Sequence, residues 1–191
     1  MIKDAVSPLE PRYEDLAGDG LGRKARRHFL ATRPKFLTAS VLPVLVGTAW
    51  GATVAGGLEL GVAVLALLAT ALVHCASNVI NDVGDDITGT DRDNVEYIHP
   101  YTGGSRFITN GIMSVQEMHR WGWILIGMAS VLGLVLALLK GPIVIALGLA
   151  VTASLVVVAI ALAAAGSPTT THFVPPYEMT GNVHACPAGN E

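Results

Sequence analysis

Five aspartates, Asp82, Asp85, Asp86, Asp91 and Asp93, lie within the run NDVGDDITGTDRD at positions 81–93. They follow directly on an apolar stretch long enough to cross a membrane. A carboxylate near the bilayer centre costs roughly 2.5–3.5 kcal/mol on insertion scales, so acids at such depth generally face a wet, functional interior. If the preceding helix continues through 78–86, then Asn78, Asn81, Asp82, Asp85 and Asp86 recur at spacings of three and four, which stacks them on one helical face. Amide and carboxylate oxygens without a nearby thiol suit a hard cation. Mg²⁺ in particular is held by one or two carboxylates, with water and substrate phosphate completing its shell. Gly89 is expected to end the helix, leaving Asp91 and Asp93 in a loop able to fold back over the site. An EF-hand is excluded, because D-x-D-x-D-G read from Asp91 gives Asp91, Asp93, Val95 and Glu96, without the third ligand or the glycine. A merely solvated acidic loop accords poorly with amides in register at the end of a hydrophobic helix.

Downstream, GGSRFITNG occupies 103–111. Gly103, Gly104 and Ser105 can present backbone N–H groups to an anion, and Arg106 carries a guanidinium fork suited to phosphate oxygens. Nothing matches GxxxxGK[ST], so nucleotide hydrolysis has no support, and no nucleic-acid partner is expected. His172, His184 and Cys186 fit no common zinc spacing.

The elements that must position these groups are membrane helices. Hydrophobic residues make up 51% of the chain and charged ones 14%, and the charges gather in the first 35 residues, in 81–120 and thinly in the tail. That distribution marks an integral membrane protein of all-α class rather than a soluble domain. Cys75 and Cys186 are the only cysteines, too few for a disulfide framework, and no cleavable signal is expected ahead of the charged N-terminal segment. Four spans are predicted, at 36–55, 60–80, 121–139 and 143–165. Connectors as short as Gly56–Glu59 and Lys140–Pro142 pair them into two hairpins. The chain thus divides into a basic segment 1–35, a four-helix region 36–165 with an acidic loop at 81–120, and an irregular tail 166–191. Arg23, Lys24, Arg26, Arg27, Arg33 and Lys35 all precede the first span, which puts the N-terminus and the acidic loop in the cytoplasm. The basic stretch 21–36 either lies along the anionic inner leaflet as an interfacial helix or acts only as a topology anchor.

NDVGDDITGTD at 81–91 resembles the first Asp-rich motif of the UbiA superfamily of intramembrane prenyltransferases, broadly NDxxDxxxD. Here Gly89 stands where the last acid would be and Asp91 follows two residues later. That variant looks most like the 1,4-dihydroxy-2-naphthoate polyprenyltransferases of menaquinone synthesis. RPKFLTASVLPVLVGTA at 33–49 and NVEYIHPYTGGSRFITNGIMS at 94–114 are similar to the stretches before and after that motif. The resemblance implies a fold in two similar helical halves and an Mg²⁺-dependent transfer of an isoprenoid chain from a polyprenyl diphosphate to an aromatic acceptor. It implies that Asn81, Asp82 and Asp85, with support from Asp91, hold Mg²⁺ against the diphosphate and serve catalysis. Arg33, Arg106 and Asn78 are implied on the substrate side.

The same resemblance implies eight or nine spans and a second Asp-rich motif, whereas no acidic cluster follows Glu117. The chain therefore reads as the N-terminal half of such a bundle, truncated or frameshifted, and is expected to be inactive or nearly so by itself. The main alternative is a non-catalytic remnant or a half-subunit completed by a separate chain with the second motif. A small membrane transporter is a weaker alternative, because the later spans hold no acids. His74 and Cys75 read as packing or hydrogen-bonded residues.

Overall fold

The computed structural model describes residues 10–94, 97–99, 101 and 103–150. Among them the regular elements are all helical: α1 Tyr13–Leu16, α2 Leu21–Ala31, a 3₁₀ turn Pro34–Phe36, α3 Leu37–Ala55, α4 Leu60–Thr88, α5 Thr90–Asp93 and α6 Val115–Lys140. Among the described residues three helices are long and apolar enough to cross a membrane, one of them α3 with its 3₁₀ lead-in, the others α4 and α6. The protein is an all-α membrane bundle. Residues 143–150 are helical. The remainder of the predicted fourth span and the tail 166–191 lie outside the described residues.

Glycines set the helix ends. Gly56 (φ 72°) closes α3 and Gly89 (φ 82°) closes α4, both in the left-handed region that a side chain disfavours. Past the first closure, Glu59 opens α4 and pairs with Lys140 at the end of α6, tying together the far ends of two spans.

At 1.5 Å per residue, the 29 residues of α4 extend about 44 Å. A hydrocarbon core is only about 30 Å thick. The apolar run 60–80 fills that thickness, so the acidic turns from Asn81 onward stand at its edge. α6 begins at Val115, six residues before the expected Trp121. The difference has a local cause: the Ser114 hydroxyl accepts the Glu117 N–H at 3.1 Å, an S-x-x-E cap that starts the helix while it is still polar. Apolarity marks the membrane portion of a helix and not where its hydrogen bonding begins.

α4 packs chiefly against α6, and α3 against α4. The core joins Ala76, Val79 and Val83 of α4 to Met118 and Leu125 of α6, with Phe107, Ile112 and Met113 folded in from the loop between them. Gly122 marks the close approach, since a Cβ there would lie 2.5 Å from Ile80 Cδ1. α3 buries none of its residues. Leu42, Val46, Trp50 and Val54 lie exposed on it, an apolar surface of the kind lipid contact requires.

The basic segment is not one continuous helix. It breaks after Ala31, and Arg33 takes a left-handed conformation (φ 55°) before the 3₁₀ turn. Nor do all its cations face outward. Arg27 is buried, with Nε and Nη2 donating to Glu117 Oε1 at 3.1 and 2.7 Å and Nη1 donating to the Gly18 carbonyl at 2.8 Å. Trp121 Nε1 donates to the His28 carbonyl at 3.1 Å, and the His28 ring meets that indole edge-on at 5.1 Å. α2 is thereby fixed to the first turns of α6.

Candidate functional site

The last turns of α4 carry their acids in two directions. Asp82 and Asp86 are buried, while Asn81 is exposed and Asp85 half-buried. The Ser105 N–H lies 3.2 Å from each carboxylate oxygen of Asp82. This N–H was expected to serve an external anion; it serves instead the chain's own carboxylate. Ser105 Oγ in turn accepts the Phe107 N–H at 3.3 Å.

The glycine pair ahead of Ser105 has a steric reason. A Cβ on Gly104 (φ 71°) would lie 2.6 Å from Asp91 Oδ2 and 3.0 Å from Asp82 Oδ1, and one on Gly103 (φ 79°) would lie 2.5 Å from Tyr97 Cβ. The loop backbone therefore fits between the two carboxylates only where it has no side chain. Asp91 reaches this point because Gly89 ends α4 and α5 turns the chain back. Arg92 locks that return, donating Nε and Nη2 to the Asp86 carboxylate at 3.0 and 3.1 Å. Asp91 is itself buried. Its pKa is raised above the usual carboxylate value, first by burial and then by the charge of Asp85, with Arg106 and Arg33 opposing.

Arg106 adopts a left-handed backbone (φ 64°), a strain on the order of 1–3 kcal/mol for a non-glycine residue. Its Nη1 donates to the Asp91 carbonyl at 2.6 Å and its guanidinium stacks 4.0 Å from the Tyr97 ring centre. Nε is buried without a hydrogen-bond partner among the described residues. Tyr97 and Asn110 donate to opposite oxygens of the Glu10 carboxylate, each at 2.9 Å, so the N-terminal segment straps this loop. Burial and the neighbouring Glu10 carboxylate push the Tyr97 hydroxyl pKa up.

The other sequence-predicted residues fall as follows. Asn81 donates to Asp85 Oδ2 at 2.7 Å, so these two hold one another at the exposed edge. Asn78 lies a turn deeper, donating to the His74 carbonyl at 2.9 Å with its Nδ2 3.1 Å from His74 Nε2. Arg33 sits over the Phe36 ring at 4.9 Å. It lines a pocket of about 220 Å³ together with Arg26, Lys35, His99, Gly104 and Ser105. Basic groups from the α2–α3 junction thus face the glycine–serine turn that caps Asp82. Burial lowers the His99 pKa.

His74, expected to be a packing or hydrogen-bonded residue, is hydrogen-bonded, and its partner on the first span is what the sequence left unnamed. His74 Nδ1 is 2.8 Å from Ser40 Oγ, which joins α4 to α3 within the membrane. The signal was present: His74, Asn78 and Asp82 recur every four residues and form a polar file down one face.

Among the described residues no three His, Cys, Asp or Glu side chains converge closely enough to hold a metal ion by themselves. Two buried carboxylates flank Gly104, however, and all their donor atoms are oxygen. That set fits Mg²⁺, which takes one or two carboxylates and leaves its other positions to water and phosphate.

Residues 40–159, well over half of the chain, match the UbiA prenyltransferase family. The chain belongs to the UbiA prenyltransferase family. This UbiA-family chain is 35% identical over 113 residues to a 1,4-dihydroxy-2-naphthoate octaprenyltransferase of Haemophilus influenzae, covering 59% of this chain and 34% of the relative. It is 36% identical over 88 residues to the protein of the same name from Escherichia coli, covering 46% of this chain and 26% of the relative. The chain therefore spans about a third or less of the curated relatives it matches. No solved structure matches it.

Proposed function

We propose that this UbiA-family chain forms the first diphosphate-binding half of an Mg²⁺-dependent prenyltransferase that moves a polyprenyl chain onto an aromatic acceptor, 1,4-dihydroxy-2-naphthoate. The observation that carries this reading is the approach of the Asp82 and Asp91 carboxylates to Gly104 in a family-matched segment. Two buried carboxylates brought to one point of the backbone are what a divalent cation neutralises. Asp82 and Asp91 would hold the metal, with Asn81 and Asp85 completing the oxygen set once their mutual hydrogen bond opens. Arg106 and Arg33 would contact diphosphate oxygens, and Asn78 would orient substrate from the next turn down. When bound, Mg²⁺ supplies charge neutralisation to the departing diphosphate. The chain's own part is to orient that group at the membrane edge and to keep water from the allylic carbon behind it. An electron-rich ring then attacks C1 of the chain and loses its carboxylate as carbon dioxide.

The positive-inside bias of 23–35 supports a cytoplasmic N-terminus and acidic face, where Mg²⁺ and phosphorylated substrates are at hand. The limited coverage of the relatives supports a second reading: the chain turns over only with a complementary set of helices that brings further acids. The test is Mg²⁺-dependent binding of a polyprenyl diphosphate to the chain in nanodiscs, followed by diphosphate release on adding 1,4-dihydroxy-2-naphthoate, with and without a complementary set of UbiA-family helices supplied in trans. Binding indifferent to Mg²⁺ and to Asp82→Asn would sink the proposal.

A further inference from the structure

The face of α2 turned away from Arg27 has no role in the proposed reaction. Leu21, Ala25 and Phe29 recur every four residues and so form one stripe. Leu21 is 87% and Phe29 61% exposed, and Ala25 is exposed between them. Two large apolar side chains in register are unusual on a helix open to water. Arg26 and Lys24 flank the stripe on its two sides, Lys24 lying 3.4 Å from the exposed Asp19. Residues 21–36 carry six Lys and Arg and no acid. Only Thr32 and Arg33 separate α2 from the 3₁₀ turn that opens the first span, so chain continuity holds α2 at the membrane edge.

We propose that α2 is an interfacial helix seated on a lipid surface rich in anionic headgroups. Its Leu21–Ala25–Phe29 stripe enters the acyl boundary while Lys24, Arg26 and Lys35 meet the headgroup phosphates. Charge complementarity selects this occupant over another polypeptide. The pair between buried Arg27 and half-buried Glu117 carries that seating to α6. Because Arg26 and Leu30 of the same helix wall the pocket beside Ser105, the seated helix sets the pocket at headgroup depth. The inference rests on the spans and on α2 itself, and stands or falls independently of the prenyl-transfer reading.

Nitroxide labels introduced as Ala25→Cys, Phe29→Cys and Arg23→Cys, in a Cys75→Ser, Cys186→Ser background within nanodiscs, report depth directly. Positions 25 and 29 are expected to show an oxygen-to-nickel-chelate accessibility ratio several-fold above that of position 23. A label at 29 open to the aqueous chelate, or shielded from both probes as in a protein interface, overturns the proposal. Hydrogen–deuterium exchange on the unaltered chain supplies the second measurement. Amides of α2 are expected to exchange several-fold more slowly in phosphatidylglycerol-containing nanodiscs than in phosphatidylcholine alone, and equal exchange in the two lipids also overturns it.

Discussion

The carboxylates of Asp82 and Asp91 converge on Gly104, within 3.0 and 2.6 Å of where its Cβ would stand. Asp82 arrives on the straight end of α4, and Asp91 arrives by the reversal at Gly89. The turn between them donates the Ser105 N–H to Asp82, which offsets part of the charge that burial disfavours.

Replacing either carboxylate should therefore act on cation binding before it acts on folding. Asp82→Asn and Asp91→Asn are each expected to weaken Mg²⁺-dependent polyprenyl diphosphate binding by at least the ~10–100-fold that changes around a metal ligand produce. Isothermal titration in nanodiscs reads this. Retention of wild-type affinity by both variants would remove them from the site.

Gly104→Ala tests the steric account. The added methyl meets both carboxylates and the residue must keep φ 71°, so a loss of about 1–3 kcal/mol in stability is expected from the backbone strain alone. Thermal melts in detergent measure it. A neutral Gly104→Ala, beside a neutral Gly47→Ala control with open space at its Cβ, would contradict the packing described.

The Arg27–Glu117 pair should be worth about 1.5–3 kcal/mol, the range for hydrogen bonds to charged groups, because Arg27 is largely buried and makes two bonds to one carboxylate oxygen. A double-mutant cycle with Arg27→Met and Glu117→Gln isolates it. Coupling near zero would show that α2 is held by the Trp121–His28 contacts instead.

Asp91 gives the pH dependence. Its pKa in the folded chain lies above the ordinary 3.8, so the folded state holds this proton more tightly than the unfolded one. Its contribution to stability is present at low pH and is lost as pH rises through the raised value. In metal-free protein the melting temperature should fall across that window, and Asp91→Asn should flatten the decline. Added Mg²⁺ should reverse the fall, since it competes with the proton for the same oxygens. An unchanged slope in Asp91→Asn would assign the effect to another group.

Much of the scaffold was legible because membrane spans follow from local composition. The starts and ends near 37–55 and 60–88, and the left-handed stop at Gly89, follow from apolar runs and glycine placement. The start of α6 was misplaced by reading apolarity alone, although Ser114 and Glu117 carried the capping signal. The acidic residues were legible as a set, but their partners were not. Asn81 and Asp85 pair with each other, and Asn78 turns to His74. Helical spacing fixes a face and leaves open which neighbours on that face bond one another.

By itself the sequence determined that apolar helices cross a membrane, that a cluster of acids follows the second of them, and that its pattern resembles the family the chain belongs to. Those properties depend on residue type and short-range spacing. Only the tertiary structure decided that Ser105 caps Asp82, that Gly104 lies between two carboxylates, and that Arg27 is spent on Glu117 rather than on lipid. Each of those contacts joins residues 13 to 90 positions apart, and such distances close only when α2, α4, α6 and the loop between them pack together.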